Sequence, residues 1–328
     1  MAVIPYIDMH CDTLGYAWMH RKKDLAGLKG SMVSLEKLEA GGCAAQFFAI
    51  FLPPQKLKKL LGPLLPKDEA YVEKLLAVYH NTMERYPERI APARNAAELE
   101  ENRLQGKISA FLTLEDGRVL NGSLERLENY YKKGVRLISL TWNDPNCLGF
   151  PNAKDPAVMN AGLTEFGKTA VQRMGELGML VDVSHLSDGG FRDVAALCKG
   201  PFVASHSNCR ALNPHTRSMT DEMIRTLAQH GGVMGLNFGP EFLTADTKSR
   251  VSRLEDMVRQ LRHMVQVGGE DCPAIGSDFD GIGGTLEVSG ADKMQLLFER
   301  LEQDGFTPRQ IEKIAFQNVE RVIRDVCR

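Results

Sequence analysis

The sequence has few features of a protein that depends on paired cysteines. Its 7 cysteines, spread from Cys11 to Cys327 among 328 residues, are odd in number and form no CxxC pair. A thiolate zinc site or a redox couple normally shows such a pair, and a secreted scaffold shows an even, closely spaced set. We therefore expect free thiols and a reducing compartment.

Long apolar runs are also missing. No stretch approaches the ~20 apolar residues of a membrane-spanning helix. The first residues, MAVIPYIDMHCDTLGY, show neither a basic leader nor an apolar segment that ends in small residues. The sequence therefore predicts no membrane partner and a cytoplasmic location.

An excess of charge of either sign is absent as well. Lys and Arg total 40 and Asp and Glu total 42, which gives a formal net charge of −2. Domains that bind nucleic acid usually carry a basic excess, so we expect no nucleic-acid partner. With 43% hydrophobic and 25% charged residues, the composition is that of an ordinary globular protein.

Glycine-rich loops of the GxGxxG type follow none of the predicted strands, which argues against a dinucleotide-binding sheet. The chain instead contains short runs of apolar, β-branched and aromatic residues bounded by turn residues, a pattern typical of buried strands. These runs predict eight strands, at residues 4–7, 44–51, 107–114, 135–141, 179–184, 201–205, 232–238 and 273–278.

Helical patterns lie between these strands. They predict helices at residues 69–85, 124–133, 165–177, 221–229 and 251–267, an excursion at 52–66, and a C-terminal helical region that begins with a capping box at Thr307, Pro308 and Gln310. Strands that alternate with helices imply parallel pairing through crossover connections. Eight such units predict the α/β class and a closed (β/α)₈ TIM barrel, as one domain over residues 1–328.

Side chains that bind metals follow several of the predicted strands. His10 and Asp12, two residues apart at the end of the first strand, would share one face, although such a pair could equally be a satisfied polar pair at a strand end. The other candidates, each near the carboxyl end of a strand, are Glu115, His185, His206 and Asp278. Barrel enzymes keep their sites at this end of the strands.

Nitrogen and oxygen ligands without thiolates suit zinc or a similar transition metal. If two ions are bound, these ligands divide into one group for each ion. His10 and Asp12 would hold one ion, and His185 and His206 the other. Glu115 would bridge the two ions, which leaves Asp278 for proton transfer.

The motifs around these residues resemble those of the renal-type (membrane) dipeptidases, metal-dependent barrels of the amidohydrolase superfamily. The matching pieces, spread over almost the whole chain, are DMHCDT at residues 8–13, LTLEDG at 112–117, VDVSHLS at 181–187, ASHSNCRALNPHTRSMTDE at 204–222 and GSDFDGI at 276–282. The resemblance implies two zinc ions per chain and a homodimer. It also implies the same zinc ligands, His10, Asp12, Glu115, His185 and His206, with Asp278 as the active-site acid and base.

The resemblance also implies a role for Arg217, in the longest of these motifs. Its guanidinium fork would bind the free carboxylate of a dipeptide. Asp182 lies on the opposite strand face from His185 by parity, so we expect it to support the site rather than to bind metal. His215 could reach the substrate or cap a loop, and Asp280 is expected to be structural.

Two positions depart from the family pattern. Trp142 stands where mammalian members carry a histidine that is thought to polarise the scissile carbonyl, and the indole N–H can only donate a hydrogen bond. Trp142, Asn143 or the metal alone would then polarise the substrate. The segment NFGP at residues 237–240 lacks the tyrosine expected beside the substrate, which leaves the substrate preference open.

The activity that we expect is hydrolysis of the peptide bond of L,L dipeptides, with L,D dipeptides left open as further substrates, by a hydroxide that bridges two zinc ions. Asp278 and Glu115 would be the catalytic residues, and Arg217, Trp142 and Asn143 would bind the substrate. Two alternatives stay open. The substrate could be another small amide, such as an N-acyl amino acid or a β-lactam, or the barrel could bind ligands without catalysis.

Overall fold

Parallel strands that join edge to edge form a closed barrel in this protein. The computed structural model describes residues 3–62, 65–246 and 248–328. Its strands are β1 (Tyr6–Cys11), β2 (Cys43–Phe51), β3 (Ile90–Pro92), β4 (Ile108–Glu115), β5 (Val135–Ser139), β6 (Leu180–Asp182), β7 (Val203–Ser207), β8 (Val233–Leu236), β9 (Val251–Ser252), β10 (Pro273–Ile275) and β11 (Thr285–Leu286).

The barrel follows the pairing order β2, β1, β10, β8, β7, β6, β5 and β4. The ring closes because β2 also pairs with β4, from Ala45 beside Ser109 to Phe51 beside Glu115. Each of the eight predicted strands overlaps one of these barrel strands, so the predicted (β/α)₈ barrel is confirmed. The additional strand β3 pairs, within the described residues, with the start of β4. It was not predicted, since it is short and contains Pro92.

Helices connect the strands and pack outside the barrel. They are α1 (Thr13–Met19), α2 (Leu35–Gly41), α3 (Gln55–Leu61), α4 (Asp68–Arg85), α5 (Ala96–Leu104), α6 (Leu124–Lys132), α7 (Pro156–Met159), α8 (Glu165–Leu177), α9 (Asp188–Leu197), α10 (Asp221–Gln229), α11 (Pro240–Leu243), α12 (Leu254–Gly268), α13 (Gln295–Gln303), α14 (Pro308–Glu312) and α15 (Asn318–Val326). Short 3₁₀ turns cover Gly117–Leu120 and Ala291–Lys293, and a π-helical turn covers Lys313–Gln317.

The predicted helices correspond to α4, α6, α8, α10 and α12. The last of these was predicted to begin at residue 251 but begins at Leu254, because Val251 and Ser252 pair with β11 instead. The capping box at Thr307 is confirmed, with the Gln310 side chain accepting from the Thr307 backbone N–H. The predicted excursion at 52–66 contains α3, and its residues 63 and 64 lie outside the described residues.

The interior of the barrel is filled at the end where the strands begin. Ile7, Phe47 and Phe111 are buried there, and the two phenylalanine rings stack with centroids 4.6 Å apart. Val319 and Val322 of α15 pack against the same cluster and close this end. The carboxyl ends of the strands therefore form the open face on which polar side chains can meet.

Candidate metal centre

The ends of five barrel strands place the predicted metal-binding side chains in one cluster. His10 lies in β1 and Asp12 directly follows it, whereas Glu115 ends β4 and His206 lies in β7. His185 follows β6 and Asp278 follows β10. Because all the strands are parallel, these ends meet at one face of the barrel although the residues are far apart in sequence.

Glu115 lies at the middle of the cluster. Its Oε2 is 3.2 Å from His10 Nε2. Its Oε1 is 3.0 Å from His185 Nε2 and 3.5 Å from His206 Nε2. The side chain is 3% exposed. The two oxygens of one buried carboxylate thus face two different groups of imidazoles.

Two further carboxylates complete the cluster around His10. Its Nε2 is 3.8 Å from Asp12 Oδ1 and 3.7 Å from Asp278 Oδ1. Within the described residues, three overlapping triads offer converging ligand atoms: His10, Asp12 and Glu115; Glu115, His185 and His206; and His10, His206 and Asp278. The arrangement offers positions for more than one cation.

The electrostatics of the cluster favour a bound cation. Burial, reinforced by the neighbouring carboxylates, raises the pKa of Asp12 to about 6 and that of Asp278 to about 8. Burial alone would raise the pKa of Glu115, but the facing imidazoles hold it well below its usual range. Burial and the Arg217 charge lower the pKa of His185 to about 4, which keeps that imidazole in the neutral form that binds metal.

Unpaired buried atoms show that the residues fit a metal. Both ring nitrogens of His10 and Oδ1 of Asp12 are buried, and no protein atom in the described part of the chain forms a hydrogen bond with them. Buried polar atoms are normally satisfied, and each that is not costs about 1–3 kcal/mol. A cation bound to His10 Nε2 and Asp12 Oδ1 would satisfy one atom of each residue.

The backbone is unusual at two of these positions. His185 and Asp278 both have positive φ angles, +67° and +61°, in the left-handed region that side chains other than glycine seldom adopt. Such residues cost about 1–3 kcal/mol each and cluster at functional sites. The hydrogen bond from Asp278 N to His10 O, 3.2 Å long, helps to hold this conformation.

Asn237 is a contributor whose role sequence reasoning missed. Its Nδ2 donates to Asp278 Oδ2 over 2.7 Å, and its Oδ1 accepts from Gly239 N at the same distance. The amide therefore fixes Asp278 with Oδ1 facing His10. The only signal in the sequence is an asparagine close to the end of the strand predicted at residues 232–238, and asparagine there is by itself more typical of a turn.

Arg217 is buried beside the cluster, with 7% of its surface exposed. Its Nη2 donates to His206 O at 2.8 Å, whereas Nε and Nη1 are buried without a partner among the described residues. His215 Nδ1 accepts from Arg217 N at 3.1 Å, a contact that agrees with the loop-capping alternative for His215. The bidentate pair of Arg210 with Asp188 ties this loop to α9.

Trp142 and Asn143 flank His185. The Trp142 ring is 6.0 Å from the imidazole of His185 and 5.2 Å from the ring of Phe51, measured between centroids. Asn143 Oδ1 lies 3.2 Å from His185 Nδ1. Trp142 thus lies with its aromatic ring beside the cluster of candidate metal-binding side chains, and Asn143 is placed to orient the His185 ring.

Asp116 and Asp280 have structural contacts. Asp116 accepts from Arg118 N and forms an ion pair with the Arg118 guanidinium. Asp280 accepts hydrogen bonds from Thr13 Oγ1 and Met32 N, both 2.7 Å long. It therefore joins the loop after β10 to the segment between α1 and α2, as expected for a structural residue.

None of the helices among residues 3–62, 65–246 and 248–328 combines the length and the apolar character needed to cross a bilayer.

Comparison with known proteins gives a family match over the full length. The model of the family described as "Membrane dipeptidase (Peptidase family M19)" matches residues 1–328. A curated relative, dipeptidase VerJ of Clonostachys rogersoniana, is 29% identical over an alignment of 341 positions, gaps included, which covers 99% of this chain and 85% of VerJ.

Two solved structures are similar in both sequence and fold. The dipeptidase AC, an M19 metallopeptidase, is 28% identical, with a TM-score of 0.88 and 98% of each chain covered. A metallopeptidase from Rhodobacter sphaeroides, bound to a phosphinate mimic of the dipeptide L-Ala-D-Ala, is also 28% identical, with a TM-score of 0.87. That alignment covers 98% of this chain and 99% of the Rhodobacter chain.

Proposed function

Because this chain belongs to the membrane dipeptidase family, peptidase family M19, we propose that it is a binuclear zinc dipeptidase acting on dipeptides with a free carboxylate. Membership makes it a metallo-dipeptidase, and hence a hydrolase. The proposal adds the identity and number of the ions, the roles of the residues and the kind of dipeptide.

The position of Glu115 is the observation that carries the proposal of two ions. One carboxylate oxygen faces His10, and the other faces His185 and His206. A carboxylate with ligand groups on both sides is suited to bridge two cations. His10 and Asp12 would hold one ion, and His185 and His206 the other.

Zinc fits this donor set, since imidazole nitrogens and carboxylate oxygens are its usual partners in catalytic sites. A bound zinc pair supplies a water whose pKa is lowered to about 7 and positive charge that stabilises the oxyanion formed on the substrate. The residues around it must then position the substrate and move the protons.

Asp278 is placed to move the proton. Its Oδ1 faces the cluster and lies 3.7 Å from His10 Nε2. Its Oδ2 accepts a hydrogen bond from Asn237 Nδ2. Oδ1 would take the proton of the attacking water and deliver it to the leaving amine, as a general base and then a general acid. Asn237 keeps the reactive oxygen directed at the site.

Arg217 is placed to bind the substrate carboxylate. Its contact with His206 O holds the guanidinium, and Nε and Nη1, which have no partner among the described residues, can donate to a ligand. A guanidinium forms strong paired hydrogen bonds with a carboxylate. Trp142 and Asn143, which flank His185, would also bind the substrate, and the indole N–H, a donor, would serve the scissile carbonyl.

The proposal includes L,D dipeptides as substrates because of the ligand found in a related enzyme. The Rhodobacter sphaeroides metallopeptidase, 28% identical to this chain, has been crystallised with a phosphinate mimic of L-Ala-D-Ala. We propose that this chain accepts both L,L and L,D dipeptides.

The experiment that tests the proposal combines metal analysis with a substrate panel. Protein reconstituted with zinc should bind two ions per chain and hydrolyse L,L and L,D dipeptides, and a chelator should abolish the activity. Arg217→Ala should raise KM strongly for a dipeptide but hardly at all for its C-terminal amide, and Arg217→Lys, which keeps the charge, is the matched control. Equal losses on both substrates would contradict carboxylate binding, and a single bound ion would contradict the binuclear site.

A further inference from the structure

Asp182 is a buried carboxylate that no step of the proposed hydrolysis uses. It ends β6 and is fully buried. Its Oδ1 accepts from the backbone N–H groups of Ser184 and Ser205, at 2.9 and 2.8 Å. Its Oδ2 accepts from the hydroxyls of Ser139 and Ser205. In both of these bonds the serine hydroxyl is the donor, so both hydroxyl protons point at Asp182.

Ser205 connects the Asp182 carboxylate to His206, one of the candidate metal-binding side chains. Its Oγ is 2.6 Å from Asp182 Oδ2 and 2.8 Å from His206 Nδ1. Because the single hydroxyl proton is directed at Asp182, Ser205 offers His206 only a lone pair, and Nδ1 must be the donor. A neutral imidazole carries one N–H, so Nε2 keeps its lone pair, and Nε2 is the atom that faces Glu115 at 3.5 Å.

We propose that Asp182 and Ser205 are positioning residues that hold His206 in the tautomer protonated on Nδ1, with Nε2 free for metal. This inference rests on the proposed function, in which His206 is a zinc ligand. Histidines that bind metals almost always donate the other ring N–H to an acceptor, and loss of that acceptor typically costs about 10- to 100-fold in metal affinity. The relay joins two neighbouring strands, β6 and β7, and Ser139 of β5 donates to the same carboxylate without reaching His206.

The chain offers a matched pair of variants for the test. Ser139 and Ser205 donate to the same oxygen of Asp182, but of the two only Ser205 contacts His206. In Ser205→Ala one of the two zinc equivalents should bind about 10- to 100-fold more weakly in a competition assay with a chromophoric chelator. Ser139→Ala removes an equivalent hydrogen bond and should keep the affinity of the wild-type protein.

Asp182→Asn provides a second test of the same relay. Two backbone N–H groups face Oδ1, so the amide oxygen must occupy that position and the NH₂ group must replace Oδ2. The NH₂ group would donate to Ser205 Oγ, whose proton would turn to His206 Nδ1 and shift the ring proton to Nε2. We expect the same zinc equivalent to bind about 10- to 100-fold more weakly.

Nitrogen-15 NMR of the histidines in the metal-free protein reports the tautomer directly and needs no variant to fold. His206 should be protonated on Nδ1 in the wild-type protein. Protonation on Nε2 in the wild type, or equal zinc affinities of Ser205→Ala and Ser139→Ala, would overturn the inference. A wild-type protein that binds fewer than two zinc ions or hydrolyses no dipeptide would contradict the proposed function instead.

Discussion

Gly281 provides a sharp test of the site, because its backbone lies directly against two carboxylates, a proposed zinc ligand and the proposed proton carrier. A Cβ placed on Gly281 would lie 2.2 Å from Asp12 Oδ2 and 2.5 Å from Asp278 Oδ1. Ordinary van der Waals contact begins at 3.4 Å, so these oxygens would have to move by about 1.2 and 0.9 Å. In Gly281→Ala a methyl group would thus displace one proposed zinc ligand and the proposed proton carrier together.

The expected loss falls on catalysis rather than on folding. Gly281 is exposed and its φ is not positive, so alanine brings no backbone strain, and the aspartate side chains can rotate away. A misplacement of about 1 Å at reacting groups can cost about 10²-fold in rate. We therefore expect Gly281→Ala to lower kcat/KM by about 10²-fold. The melting temperature of the metal-free protein should change little, since exposed substitutions usually alter stability by less than about 0.5 kcal/mol.

The assay measures kcat, KM and bound zinc in parallel for Gly281→Ala and Gly283→Ala. Gly283 is the matched control, because it lies two residues away in the same loop and a Cβ there would have no neighbour within 4 Å. Gly283→Ala should retain the activity of the wild-type protein. If both variants had the same kcat/KM at saturating zinc, the placement of Asp12 and Asp278 described above would be refuted.

Further predictions concern the proton carrier, its support, the metal and the assembly. Asp278→Asn should lower kcat by roughly 10²- to 10⁴-fold with unchanged zinc content by elemental analysis; a near-normal kcat would remove Asp278 from proton transfer. Asn237→Ala deletes a hydrogen bond to a charged group, worth about 1.5–3 kcal/mol, and should lower kcat at least about 10-fold; unchanged kinetics would show that Asp278 needs no such support. Chelation should lower the melting temperature, because the clustered carboxylates then repel one another, and added zinc should restore it; a melting temperature independent of zinc would contradict the metal centre. Light scattering after size exclusion should show a homodimer, and the mass of a single chain would contradict it.

Much of the fold could be predicted because strands and helices leave local patterns. Short β-branched runs alternate with amphipathic stretches, which implies parallel strands, and the count of eight such units favours a barrel. The start of α12 was predicted wrongly because Val251 and Ser252 look helical in sequence, whereas pairing with β11 decides their conformation. That pairing joins residues more than thirty positions apart, and no local pattern encodes it.

The sequence by itself determined that nitrogen and oxygen side chains would gather at one face of a barrel. His10, Glu115 and His206 stand at strand ends, and parallel strands bring all their carboxyl ends to the same side. This conclusion needs only the order of the elements.

Only the tertiary structure decided how these side chains are held. Asn237 reaches Asp278 across 41 positions of sequence, and Ser205 reaches Asp182 across 23. The backbone of Gly281 leaves room for the Asp12 carboxylate. These contacts depend on strand register and on separations of a few ångströms, which packing of the whole barrel sets and which residue types and spacings alone do not specify.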